Sequence, residues 1–177
     1  MHHCFLNPLK IESLMKEDKR RKILCAFDIE SALVRQSDGS HCHEANLVIC
    51  MSACHLCITS EGNLLDIDCC DRMKRFEGKD CINEFVNYVY NGLYNKGKGS
   101  KVIVFAHNFK GYDGRFVFRD LWTRKIDDIQ FIFKGTKIIT IKTNKIRFMD
   151  SLSLFPLPLS QLPGAFGFEE TKGYFPY

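Results

Sequence analysis

Three short stretches of the chain carry side chains able to do chemistry. The first is Asp28-Ile29-Glu30, at the end of an apolar run. On an extended strand, residues two apart share a face, so Asp28 and Glu30 present two carboxylates side by side while Ile29 turns away. Adjacent carboxylates repel unless a cation sits between them, and hard oxygen donors of this kind suit Mg²⁺ or Mn²⁺. The second stretch is His107-Asn108-Phe109-Lys110-Gly111-Tyr112-Asp113, which follows a buried strand and opens a helix. Asp113 falls at the helix start, where a carboxylate is favoured; the plainer role there is a simple cap, and His107 has an equally plain reading as a structural histidine. The third is Asp150-Ser151-Leu152, which could cap a turn. Hydrolysis of a phosphodiester by two metals needs several carboxylates converging on ions about 4 Å apart. Asp28, Glu30 and Asp113 are the candidates for that work.

The elements that must position them read as follows. Residues 23–29 form a nearly continuous apolar run, the pattern of a strand buried on both faces. A polar loop is predicted over 35–44, a second strand over 47–51 and a third over 64–67. The segment 82–94 places Phe85, Val86, Val89, Tyr90 and Leu93 on one helical stripe. Residues 95–100 are rich in Lys and Gly and read as a loop, 101–106 (KVIVFA) as a central strand, and 113–124 as a helix. Runs at 129–133, 137–142 and 145–149, broken by turn residues, predict a meander. A short helix is expected within 159–166. The order implies one mixed α/β domain over residues 23–177, with helices packed on a sheet, behind a charged tail or helix at 1–22.

The chain has 177 residues, 45% hydrophobic and 26% charged, with a formal net charge of +4. That balance is globular and permits a nucleic-acid partner without requiring one. No apolar run reaches membrane-spanning length, and the N-terminus lacks the apolar stretch of a secretory signal. Nine cysteines, an odd number with no export signal, fit reduced thiols or a metal site inside the cell better than a disulfide framework. Cys54 and Cys57 have zinc-knuckle spacing, and Cys69 and Cys70 follow as further candidate ligands of a structural zinc; buried free thiols are the alternative.

Taken together, FDIES (27–31), AHNFKGYDGRF (106–116), FMDSLSLFPLPLSQLP (148–163) and KGYFPY (172–177) resemble consecutive blocks of protein-primed family B DNA polymerases. Those polymerases serve viruses, linear plasmids and self-synthesising DNA transposons of the Maverick/Polinton kind, and the spelling is nearest the transposon branch. The resemblance implies an RNase H-like fold and a 3′→5′ proofreading exonuclease of the DEDD type. In it Asp28 would bridge two metals, Glu30 would share the first motif, and Asp113 would serve the second metal. His107, Asn108 and Tyr112 would hold the frayed 3′ end of a primer, and Ser151 and Leu152 would contact single-stranded DNA.

The resemblance also sets expectations for what lies outside these blocks. The family's third exonuclease motif, Tyr-x-x-x-Asp, and the polymerase palm motifs are expected downstream of Tyr177. The isolated chain is therefore expected to be inactive, and to expose apolar surface that downstream helices would cover. The implied partners are a single-stranded 3′ end, a primer-template and a terminal-protein primer. A transposon polymerase would work in the nucleus. The alternative reading is a non-catalytic remnant that only binds DNA.

Overall fold

The computed structural model describes residues 22–54, 73–94 and 101–169. β1 (Lys22–Arg35) and β2 (His41–Cys54) form a long antiparallel hairpin, and β3 (Met73–Glu77) adds at its outer edge. Helix α1 (Cys81–Asn87) continues as a π-helical stretch, Tyr88–Leu93, and leads to β4 (Lys101–Ala106). Helix α2 (Asp113–Thr123) precedes the meander β5 (Gln130–Lys134), β6 (Lys137–Lys142) and β7 (Ile146–Asp150). The tail holds two single 3₁₀ turns and a short helix, α3 (Leu162–Ala165). One seven-stranded sheet results, in the order β3-β2-β1-β4-β7-β6-β5, with β4 parallel to both β1 and β7.

Alternation along the strands decides which face the helices cover. Ile23, Cys25, Phe27 and Ile29 of β1 are buried, as are Val102 and Val104 of β4 and Ile146 and Phe148 of β7. These side chains pack under α1 with its π-helical continuation and under α2, whose stripes Phe85-Val86-Val89-Leu93 and Val117-Leu121 complete the core. Phe27 is its hub: its ring lies 4.7 Å from that of Phe85 and 6.3 Å from those of both Phe109 and Phe148. Each such buried aromatic contributes about 2–3 kcal/mol of transfer free energy. Arg124 fastens the two helices, donating to Asn87 Oδ1 at 2.6 Å and to Asn83 O at 3.0 Å while paired with Asp120.

The opposite face of the sheet carries Ala26, Asp28, Ile49, Met51 and Met73, all exposed; Met51 and Met73 are 59% and 68% accessible. Among the described residues, no helix is long and apolar enough to cross a membrane.

Several expected boundaries move. The loop placed at 35–44 shrinks to residues 36–40, where Gly39 takes φ +83° and Asp38 accepts the Ser40 N–H at 2.9 Å. β1 and β2 extend beyond the sheet as a two-stranded ribbon, with a register shift between Glu30 and Ser31. The strand expected at 64–67 lies outside the described residues, as do Cys57, Cys69 and Cys70. β3, a polar edge strand, was not anticipated. Cys54 is buried at the end of β2, and Cys25, Cys42, Cys50, Cys54 and Cys81 carry no disulfide.

Candidate functional site

The site assembles where β1, β4 and β7 meet the loop after β4. Asp28 stands on the open face of β1, mid-strand rather than at its end as the sequence suggested, with Glu30 two residues on along the same face. Between them, the Ile29 side chain enters the core while its backbone N–H donates to Asp113 Oδ1 at 3.2 Å. Asp113 is the first residue of α2 and is 2% exposed. Burial first, then the negative charge of Asp28, and to a lesser degree that of Asp150, push its carboxyl up to about 7. A carboxylate pair under this strain is a site that a cation would relieve. Among the described residues no three His, Cys, Asp or Glu side chains come together as a metal cluster, so Asp28, Glu30 and Asp113 are not gathered into a preformed three-carboxylate set; Asp28 and Asp113 are near enough for the charge of one to raise the pKa of the other.

The 107–112 loop is held by Asp150. Its Oδ1 accepts the N–H of Asn108 at 3.0 Å and of Leu152 at 2.9 Å; Oδ2 accepts the N–H of Lys110 at 3.3 Å and faces Lys110 Nζ at 3.6 Å. At 2% exposure, those donors replace the water this carboxylate has lost. Asp150 is therefore engaged within the protein as a clamp. Spacing alone had offered it only a turn cap; the reach across some forty residues is not visible in sequence. Asn108 sits at φ +67°, a left-handed conformation that Asn tolerates better than most residues, and its carbonyl accepts the N–H of Gly111 at 2.8 Å. Gly114 is required by contact, since a Cβ there would lie 2.7 Å from the Phe109 carbonyl oxygen; a Cβ on Gly111 would lie 2.6 Å from Asn108 Oδ1, a side-chain end that can turn away.

His107 Nε2 donates to Leu157 O at 2.9 Å, which leaves Nδ1 facing Ser151 Oγ at 3.1 Å in the neutral ring. Both ring nitrogens thus bind the segment after β7. Tyr112 OH hydrogen-bonds Ser31 Oγ, which also pairs with His43 Nδ1 at 2.9 Å. Ser31 and His43 are residues that sequence reasoning missed; Ser31 was signalled only by following Glu30 directly. Leu152 is half-buried beside the clamp. A groove of about 390 Å³ runs along the open face from Asp28 past Met51, Phe105 and Leu159 to His107 and Ser151.

A family profile for DNA polymerase type B, organellar and viral, matches residues 94–177. That stretch, a little under half of the chain, is similar to the type B DNA polymerases. It contains the 107–113 loop, the Asp150 clamp and Ser151, while Asp28 and Glu30 lie before it. The fold is similar to phi29 DNA polymerase complexed with single-stranded DNA, with a TM-score of 0.56 at 15% identity, over 89% of this chain and 25% of that one. A second solved structure, the family B DNA polymerase of the hyperthermophilic archaeon Pyrobaculum calidifontis, aligns with a TM-score of 0.48 at 17% identity, over 82% of this chain and 18% of that one. No curated protein sequence matches. The chain thus spans about a quarter of the phi29 polymerase, and its mixed seven-stranded sheet with flanking helices is the fold of a family B exonuclease domain.

Proposed function

We propose that this chain is a 3′→5′ proofreading exonuclease module of a protein-primed family B DNA polymerase. The observation that carries the reading is the placement of Asp113. Its buried carboxylate is bonded to the N–H next to Asp28 and pushed up to about 7 by desolvation and by that neighbour's charge. Asp28 and Asp113, with Glu30, would hold Mg²⁺ or Mn²⁺. Such cations, when bound, supply water activation and charge neutralisation at a scissile phosphate.

The remaining work belongs to the chain's own residues. The groove beside Asp28 would seat the terminal nucleotide, its base against Met51, Phe105 and Leu159. Tyr112 would offer a ring edge to the next base, a contact tolerant of sequence. Asp150 and Ser151 would keep Asn108 and His107 in place, so that the loop meets the 3′ end in one conformation. Protein priming, with a terminal protein as partner, and a transposon origin with work in the nucleus rest on the spelling of the sequence blocks.

The test is a titration of the full chain with Mn²⁺ and a 5′-labelled single-stranded oligonucleotide. Mn²⁺ binding and metal-dependent binding of the 3′ end should both disappear in Asp28→Ala and in Asp113→Ala. Mn²⁺ binding that survives both changes would refute the assignment. A second reading, DNA binding without hydrolysis, is favoured by the absence of a three-residue metal cluster among the described residues; 3′-end binding with no shortening of the strand supports it.

A further inference from the structure

The open face of the sheet carries a second chemical feature at its opposite pole. Lys22 begins β1 and Lys101 begins β4, in register as neighbours in parallel strands. Arg147 of β7 lies beside Ile103 of β4 and opposite Lys142 of β6. Because Ile23, Val102, Ile146 and Ile141 point into the core, the alternation places Lys22, Lys101, Arg147 and Lys142 on the open face. Lys145, one residue before β7, joins them, its Nζ 4.7 Å above the ring of Tyr94. All five are exposed and line one groove of about 670 Å³; no Asp or Glu lines it among the described residues.

The floor of this groove is fixed. Thr143 is buried, and its Oγ1 accepts the N–H of Lys145 at 3.1 Å and of Ile146 at 3.0 Å. The Val102 N–H donates to Lys145 O at 3.0 Å, which ties the turn to β4. The nearest acid joined to the turn, Asp128, uses its carboxylate to accept the Asn144 N–H at 2.9 Å. In sequence, Lys19, Arg20 and Arg21 directly precede Lys22, and Lys96 and Lys98 shortly precede Lys101.

The cations form a row and not a focus. Four neighbouring strands at about 4.8 Å spacing spread them over roughly 14 Å. That is longer than one phosphate group and equals about four steps of axial rise in a B-form duplex, at about 3.4 Å each. Asp28 lies six residues further along β1, roughly 20 Å away, so the row is separate from the carboxylates. We propose that Lys22, Lys101, Lys142, Lys145 and Arg147 form a binding site for the phosphate backbone of a nucleic-acid strand. It does not depend on the exonuclease reading.

The experiment is fluorescence anisotropy of the full chain with labelled oligonucleotides in EDTA, across a salt series. The triple variant Lys22→Gln, Lys142→Gln, Arg147→Gln is compared with a control triple that removes the same charge elsewhere, Lys79→Gln, Arg119→Gln, Lys125→Gln. The row variant should lose roughly tenfold in affinity, and its log K–log salt slope should fall by about two. The control should change little, and charge-conserving Lys22→Arg with Lys142→Arg should bind as the parent does. Loss on a single-stranded probe, a duplex or both supports the site and says which form it holds. Equal loss in both triples, or no loss in the row variant, overturns it.

Discussion

The backbone N–H of Ile29 donates to Asp113 Oδ1 at 3.2 Å, across 84 residues of chain. One hydrogen bond thereby joins the middle of β1 to the first turn of α2. It fixes Asp113 relative to Asp28, the residue that precedes the donor. The bond relieves the carboxylate only in part: desolvation and the charge of Asp28 still hold its pKa at about 7, against an ordinary 3.8.

A pH dependence of stability follows. A carboxyl whose folded-state pKa is raised stabilises the fold fully below its unfolded pKa, and that contribution is lost as pH rises through the folded value. For Asp113 the window runs from about 4 to about 7, and the rise corresponds to at most roughly 4 kcal/mol. Denaturant midpoints should therefore be lower at pH 8 than at pH 5 in the absence of divalent cation. Asp113→Asn keeps an acceptor for Ile29 and removes the titration, so it should flatten the difference. Mn²⁺ at pH 8 should raise the parent's midpoint and leave that variant's unchanged. An identical pH difference in Asp113→Asn would contradict the account.

Asp150→Ala removes the acceptor for three backbone N–H groups and the partner of Lys110. Leaving buried donors unmade costs about 1–3 kcal/mol each when no water replaces the partner. The variant should lose roughly 3 kcal/mol overall, since part of the loop can reach solvent. Amide exchange at Asn108 and Lys110 should accelerate in step. Stability lost without faster exchange in the loop would show that Asp150 acts elsewhere.

Gly111→Ala and Gly114→Ala separate two kinds of close approach. At Gly114 the new methyl meets a backbone carbonyl at 2.7 Å, beside a buried ring. At Gly111 it meets the end of the Asn108 side chain, which can turn away. Gly114→Ala should cost about 2–3 kcal/mol. Gly111→Ala should cost under about 1 kcal/mol and instead weaken binding of a single-stranded 3′ end. Melting curves and oligonucleotide titrations on both variants decide the point.

What could be read from sequence followed the apolar pattern. The strand at 101–106 lies where its β-branched run placed it, and the helix at Asp113 begins as expected. The meander strands fall within a residue of their predicted limits: β6 and β7 each bury one face, and β5, though largely exposed, is bounded by the turn residues that the sequence shows. The outer halves of β1 and β2 escaped notice because Ala32, Leu33, His43 and Glu44 are exposed, which erases period-two alternation. β3 was missed for a similar reason, as an edge strand reading Met-Lys-Arg-Phe-Glu. At the site, Asp28, Glu30 and Asp113 could be picked out by spacing. The clamp by Asp150 and the contact of Ser31 with Tyr112 could not, since each joins residues at least forty positions apart.

Among the described residues α1 and α2 roof one side of the sheet, and β1 lies beside its central strand, β4. Along Ile23 to Glu30, odd-numbered positions are answerable to the core, and even-numbered ones face outward toward the groove, the carboxylates and the basic row. Selection can therefore act on the two sets almost independently. Replacements at 24 or 26 would reshape what the surface recognises while leaving the scaffold intact. Replacements at 25 or 27 would be filtered by folding before chemistry is ever consulted. A single strand thus keeps two ledgers of mutational tolerance, interleaved residue by residue.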